Sequence, residues 1–188
     1  MHPSAPLRTC LYDEAALQTV LQAMARQIAA RLPPREPLAV IGILRRGAPL
    51  AQRLTELLVQ RHGLAPPLRL DLSVKRYADD LTLLYPETRL DEPAEAAAPD
   101  LANHHLLVVD DVLYGGHSLL RVLQYLARQQ PRQIHVAVLV DRCVARLPVH
   151  ADVVGLRLQV APDSIIDCHV PPYEPEFCID LVQPEPAP

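Results

Sequence analysis

Apolar and polar positions along this chain fall into blocks of two periods. Residues 13–32 carry Leu17, Val20, Leu21, Met24, Ile28 and Leu32 on one face at helical spacing. Asp13 suits the N-cap, Tyr12 and Leu17 a hydrophobic staple, and Pro33-Pro34 ends the helix. Leu38 to Ile43 is an unbroken apolar run, the signature of a buried strand. A tight basic turn, Leu44-Arg45-Arg46-Gly47, leads to a second helix with Pro49 in its first turn, reaching about Arg61. Its inward face is Leu50, Leu54, Leu57 and Leu58, and Gly63 stops it. Leu68 to Val74 alternates apolar and polar, the period of a half-buried strand. Leu106 to Val109 is a further buried strand. A third helix follows from Ser118 to about Gln129, with Leu119, Val122, Leu123 and Leu126 inward. Ile134 to Val140 is again strand, Asp152 to Leu158 a shorter one, and the proline-rich tail holds extended pieces at Ile165–Ile166 and Phe177–Val182.

The order β-α-β-β-lid-β-α-β predicts an α/β fold with a twisted, mostly parallel sheet and helices on both faces. Residues 76–104 interrupt it. A connection that long is a functional lid or a disordered segment, and Leu81 to Tyr85 could pair within it as a hairpin. Ligands of such sheets bind beyond the carboxyl ends of the strands. Three strand ends carry charge there: Arg45-Arg46, Asp110-Asp111 and Asp141-Arg142. Core packing requires none of these charges, so their convergence marks the candidate site.

Composition narrows the classes. The chain has 188 residues, 49% apolar, enough for one full core. Aromatics are 4% and Trp is absent, so base-stacking platforms are scarce. Lys75 is the sole lysine, and Arg supplies the other positive charge. A net charge of −4 argues against a nucleic-acid coat but leaves room for a local basic patch. No apolar run approaches the ~20 residues of a membrane span, and the first ten residues hold no signal core. A soluble cytoplasmic protein is the expectation. The cysteines, Cys10, Cys143, Cys168 and Cys178, form no CxxC pair, and the histidines have no ligand spacing, so structural zinc is not expected.

The segment His105–Arg121 carries the sharpest chemistry. A buried strand ends in Asp110 and Asp111, a loop with Gly115 and Gly116 follows, and a helix starts near Ser118. Consecutive N–H groups and the positive helix end cradle phosphate. Carboxylates do not bind phosphate; they suit sugar hydroxyls, or Mg²⁺ through water. Together these suggest a phosphorylated sugar. Each residue also has a structural reading: the acids as a solvated strand end or capping pair, Arg45-Arg46 as surface charge, Asp141-Arg142 as an ion pair, Tyr173 as core.

VVDDVLYGGHS resembles the phosphoribosyl-pyrophosphate (PRPP) motif of type I phosphoribosyltransferases. IGILRRGAPLAQRL is similar to the segment of that family that holds pyrophosphate. LDLSVKRYADDLT and LVDRCVARLPVHADVVG join them in resembling one subfamily, pyrimidine operon attenuation regulators that double as uracil phosphoribosyltransferases. The tail from Pro162, with Asp163 and Tyr173 ten residues apart, is closer to hypoxanthine-guanine phosphoribosyltransferases.

The resemblance implies one domain over 1–188, with a lid over about 76–104 and a hood and C-terminal tail over about 156–188. It implies transfer of a phosphoribosyl group from PRPP to uracil or a 6-oxopurine, with release of pyrophosphate and substrate-chelated Mg²⁺. Asp110 and Asp111 would hold the ribose hydroxyls, or Mg²⁺ through water. Val112, Leu113, Tyr114, Gly115, Gly116, His117 and Ser118 would surround the 5-phosphate. Arg45, Arg46 and Gly47 would take pyrophosphate, with Arg46 counted among the catalytic groups. Arg76, Tyr77, Asp79 and Asp80 would root the lid. Arg142, Val153, Val154, Asp163 and Tyr173 would meet the base. A homodimer or dimer of dimers, and RNA as a further partner, are implied too. Three departures stand out: Gly115 where the family has Thr, His117 where it has Arg, and Ala78 in place of a lid Arg. They would fit a weak enzyme, a changed substrate, or the alternative reading, a PRPP- or nucleotide-responsive regulator, RNA-binding and without catalysis.

Overall fold

The computed structural model describes residues 7–75, 89–91 and 100–183. A six-stranded sheet has the order β4-β3-β2-β5-β6-β7, built from β2 (Leu38–Leu44), β3 (Leu68–Lys75), β4 (Arg89–Asp91), β5 (His105–Leu113), β6 (Gln133–Asp141) and β7 (Val153–Arg157). All neighbours pair in parallel except β4, which runs antiparallel to the end of β3. Helices α1 (Glu14–Ala29) and α2 (Gly47–His62) cover one face, and α3 (His117–Ala127) the other.

This coverage explains the unbroken apolar runs. A strand buried on both faces needs no polar alternation. Val40, Leu107, Val109, Ala137 and Leu139 point into the core under α1 and α2, while Ile41, Leu106, Val108, Val136 and Val138 point toward α3. The α1 stripe, Leu17, Leu21, Met24, Ala25 and Ile28, is buried, and Asp13 caps the helix by accepting from the Ala16 N–H at 2.9 Å. The helix stops at Ala29, short of the expected 32, although Leu32 still enters the core. Gly63 ends α2 at φ 66°, as its composition predicts.

A second, three-stranded antiparallel sheet has the order β1-β9-β8, with β1 (Leu7–Tyr12), β8 (Ile165–His169) and β9 (Cys178–Gln183). One face of it, Ile166, Cys168 and Ile179, joins the α1 side of the core. β1 is an element that pattern reading leaves out. Its residues LRTCLY are mostly exposed, so only pairing with β9 makes them strand. The expected hairpin at 81–85 lies outside the described residues. No described helix is long and apolar enough to cross a membrane.

Candidate phosphate-binding cleft

The parallel strands β2 and β5 run side by side and deliver two loops to one place. The β2–α2 loop is Arg45-Arg46, following a cis peptide bond between Leu44 and Arg45. The β5–α3 loop is Tyr114-Gly115-Gly116. Gly47 seats the first loop against the end of β5: a Cβ there would lie 2.5 Å from the Val109 carbonyl oxygen and 3.2 Å from the Asp110 Cα. Gly116 seats the second. Its φ of +84° suits glycine, and a Cβ would meet Val149 Cγ2 at 2.4 Å. Among the described residues, no side chain caps the N-terminus of α2 or of α3. Two helix starts without a side-chain cap therefore flank the acid pair.

Asp110 and Asp111 are half-buried between these loops. Asp110 Oδ1 accepts from the Asp111 N–H at 2.9 Å, and Asp111 Oδ1 accepts from the Val112 N–H at 2.8 Å. Loss of water, then the neighbouring Asp111 charge, raises the Asp110 carboxyl well above its ordinary value. Desolvation raises Asp111 as well, opposed by the charge of Arg46. Such a pair gains from any ligand that brings hydroxyl donors or a cation.

A cleft of about 480 Å³ opens beside Asp110. Its walls are residues 112–119, Arg142, Val144, Arg146, Val160 and Pro162. The β6–β7 segment braces the loop: the Arg142 N–H donates to the Leu113 carbonyl at 3.1 Å and the Arg146 N–H to the Gly115 carbonyl at 3.3 Å. The buried Arg142 side chain donates to the Ser164 carbonyl at 2.9 Å, with its guanidinium 5.2 Å from the centre of the Tyr114 ring. Asp141 is engaged separately, accepting from the Cys143 N–H at 2.8 Å. Arg142 thus ties the cleft to the strand entering β8.

Arg46 points toward the small sheet. Its Nε and Nη2 donate to Glu174 Oε1 at 3.0 and 2.7 Å, and Nη2 reaches Asp167 Oδ1 at 3.4 Å. Glu174 Oε2 also accepts from the Val170 N–H at 2.8 Å. Burial opposes charge on Arg46, but Glu174, Asp111 and Asp167 outweigh it and hold the guanidinium more firmly protonated. Desolvation likewise opposes charge on Glu174, but the hydrogen bonds it accepts from Arg46 and from the Val170 N–H outweigh it, leaving Glu174 below the usual carboxylate range.

The structure thus gathers Asp110, the 112–118 loop and Arg142 on one cleft, with Asp111, Arg46 and Gly47 adjoining. Tyr173 is exposed, with the Arg45 guanidinium 5.7 Å from its ring centre. Asp163 is exposed and does not line the cleft; its neighbour Pro162 does. Val153 and Val154 are not brought in. β7 pairs in parallel with β6, which turns Val153 into the α1-side core and Val154 toward the α3 side. Arg76, Tyr77, Asp79 and Asp80 lie outside the described residues. Arg146, Glu174 and Asp167 are additions. Arg146 and Glu174 sit in irregular segments where periodicity carries no signal, and Asp167 in a strand, β8, too short to show one.

Comparison with known proteins agrees with this geometry. The phosphoribosyl transferase domain profile matches residues 9–175. The bifunctional protein PyrR of Deinococcus radiodurans is 33% identical over 184 residues, covering 97% of this chain and 98% of its own. PyrR of Clostridium perfringens is 32% identical over 165 residues, covering 87% and 91%. Among solved structures, the hypoxanthine phosphoribosyltransferase of Trypanosoma cruzi, in complex with the product IMP, superposes with a TM-score of 0.72 at 19% identity, over 98% of this chain and 95% of that one. That of Staphylococcus aureus gives 0.66 at 17% identity, over 84% and 80%. These two share the fold. With the profile spanning most of its length, the chain belongs to the phosphoribosyl transferase domain family.

Proposed function

We propose that this protein transfers the phosphoribosyl group of PRPP to a free nucleobase, uracil or a 6-oxopurine, and releases pyrophosphate. The observation that carries this reading is the acid pair between two uncapped helix starts. A 5-phosphate suits the N–H groups of residues 114–118 and the Ser118 hydroxyl. Ribose hydroxyls suit Asp110 and Asp111, whose desolvated charge also favours the positive character that develops at the anomeric carbon. Pyrophosphate suits the α2 start, Gly47 and the cations Arg45 and Arg46. The hard oxygen donors of Asp110 and Asp111 fit a Mg²⁺ ion held through water, which would neutralise pyrophosphate charge. Residues 1–188 act as one unit, with the small sheet as hood over the base and 76–104 as lid. The relatives named bifunctional protein PyrR support uracil and a regulatory role with RNA; the small-sheet tail supports a 6-oxopurine. The protein works as a cytoplasmic homodimer or dimer of dimers.

The test is direct. Purified protein with PRPP, Mg²⁺ and each of uracil, hypoxanthine, guanine and xanthine should release pyrophosphate with at least one base. Silence with all four would sink the transfer reaction. PRPP binding without turnover would favour the regulator reading, which draws support from the engagement of Arg46 with Glu174 and from the hydroxyl missing at position 115.

Two expectations concern the phosphate loop. Gly115 has no positive φ, and a Cβ there meets only the His117 ring, at 3.3 Å. Thr is accommodated once the His117 ring gives by a few tenths of an ångström, and Gly115→Thr adds a hydroxyl to the phosphate cradle. One charge-assisted hydrogen bond is worth ~1.5–3 kcal/mol, so PRPP affinity should rise about tenfold, read by calorimetry. Unchanged affinity would make the missing hydroxyl irrelevant. Arg146 is exposed at the cleft wall and can supply the cation that His117 withdraws. Arg146→Ala should weaken PRPP several-fold and flatten the salt dependence of binding; an unchanged salt slope would remove Arg146 from the phosphate site.

A further inference from the structure

The outward face of the small sheet carries an unusual set of side chains. β8 and β9 alternate Asp167 and His169 with Cys178 and Asp180 onto that face, opposite the core residues Ile166, Cys168 and Ile179. Antiparallel register places His169 across from Cys178 and Asp167 across from Asp180. Four donors thus form a square on two adjacent strands. Directly opposed carboxylates repel, so the Asp167–Asp180 pair calls for a cation. Arg46 reaches Asp167 Oδ1 at 3.4 Å, and Arg8 supplies the rest in part, with Nη1 3.0 Å from Asp167 Oδ2 and 3.7 Å from Asp180 Oδ2, but the Arg8 side chain is half exposed.

The donor atoms converge. His169 Nε2 lies 3.3 Å from Asp167 Oδ2 and 3.5 Å from Asp180 Oδ2. Cys178 Sγ lies 4.0 Å from Asp180 Oδ1, and the ligand atoms of His169, Cys178 and Asp180 all fall within 4.8 Å of one another. His169 Nε2 is buried yet makes no hydrogen bond with either oxygen. Its ring nitrogen therefore faces the space between the carboxylates. Ligand bonds of ~2.0–2.3 Å around a tetrahedral ion put ligand atoms roughly 3.3–3.8 Å apart, which matches the His169–carboxylate separations and asks Cys178 Sγ to move inward.

We propose that this face binds one zinc-type divalent ion through His169 Nε2, Cys178 Sγ and the Asp180 carboxylate, with Asp167 beside them. A thiolate, an imidazole and a carboxylate suit a borderline-soft ion and not Mg²⁺, which takes oxygen donors. The ion neutralises the opposed carboxylates and releases Arg8 into solvent. None of these residues lines the Asp110 cleft, although Asp167 Oδ1 also meets Arg46 Nη2 at 3.4 Å, so the ion would sit beside the Arg46 ion pair and apart from any Mg²⁺ carried by PRPP.

Cobalt(II) is the probe. Reduced, metal-stripped full-length protein is titrated with Co²⁺ and followed by absorbance. The expected result is a thiolate-to-cobalt charge-transfer band that saturates at one equivalent, is displaced by Zn²⁺, and persists in excess Mg²⁺. Cys178→Ser should abolish the band and His169→Gln should lower Co²⁺ affinity by more than about 100-fold, since even loss of a ligand's supporting partner costs up to that. Cys143→Ser, which removes an exposed thiol elsewhere, should leave the band intact. A wild-type titration with no band at one equivalent overturns the site, whatever the variants do. A band that survives Cys178→Ser, or vanishes with Cys143→Ser, overturns it as well.

Discussion

Asp110→Asn should lower turnover on the order of 10²–10³-fold while leaving the folded chain as stable as before or more so at pH 7. Asn keeps the Oδ1 acceptor that receives the Asp111 N–H, so the strand end keeps its geometry. What disappears is a charge that burial and Asp111 already disfavour. The sign follows from linkage. A carboxyl whose folded value lies above its unfolded value holds a proton in the folded chain that the unfolded chain has released. Stability therefore falls as pH rises from the unfolded value, ~3.9, through the raised folded value. Removing the group should flatten that part of the profile. Thermal melting of both proteins from pH 4 to pH 8, beside pyrophosphate release, checks both halves. Normal turnover in the variant would remove Asp110 from the chemistry; a large loss of stability at neutral pH would mean that its charge holds the fold.

The second large effect is expected at Arg46. Arg46→Gln should reduce kcat/KM for PRPP about 100-fold, because the guanidinium is the partly buried cation beside the acid pair and the α2 start. It should also destabilise the chain by ~1–3 kcal/mol before screening at this quarter-exposed site, because Glu174 and Asp167 lose their shared counter-charge. Glu174→Gln separates binding from positioning. If Glu174 competes with pyrophosphate for Arg46, this variant should strengthen product inhibition by pyrophosphate several-fold. Inhibition weakened as far as in Arg46→Gln would instead make Glu174 the residue that aims Arg46.

Much of the frame was legible in the sequence because the physics is local and periodic there. The runs at Leu38–Ile43, Leu106–Val109 and Ile134–Val140 had to be strands covered on both faces, and charged strand ends had to converge where parallel strands finish. The acid pair and glycine loop could be read from one stretch, since strand, loop and helix start are contiguous. Other features depend on contacts between distant segments. β1 has an exposed, unremarkable sequence and becomes strand only against β9. Glu174 and Asp167 meet Arg46 across more than a hundred residues. The pairing of His169 with Cys178 depends on the β8–β9 register, so spacing rules for metal ligands pass over it. Val153 is expected at the base only through the family resemblance, but its side of β7 faces the core.

The most direct measurement is calorimetric titration of PRPP with Mg²⁺ into the wild-type protein and into an Asp110→Asn, Asp111→Asn double variant that melts normally. One site per wild-type chain, weakened at least about tenfold in the double variant, is the expected result. No heat of binding to the wild type, or equal affinity in both proteins, would contradict a PRPP site at the Asp110–Ser118 loop.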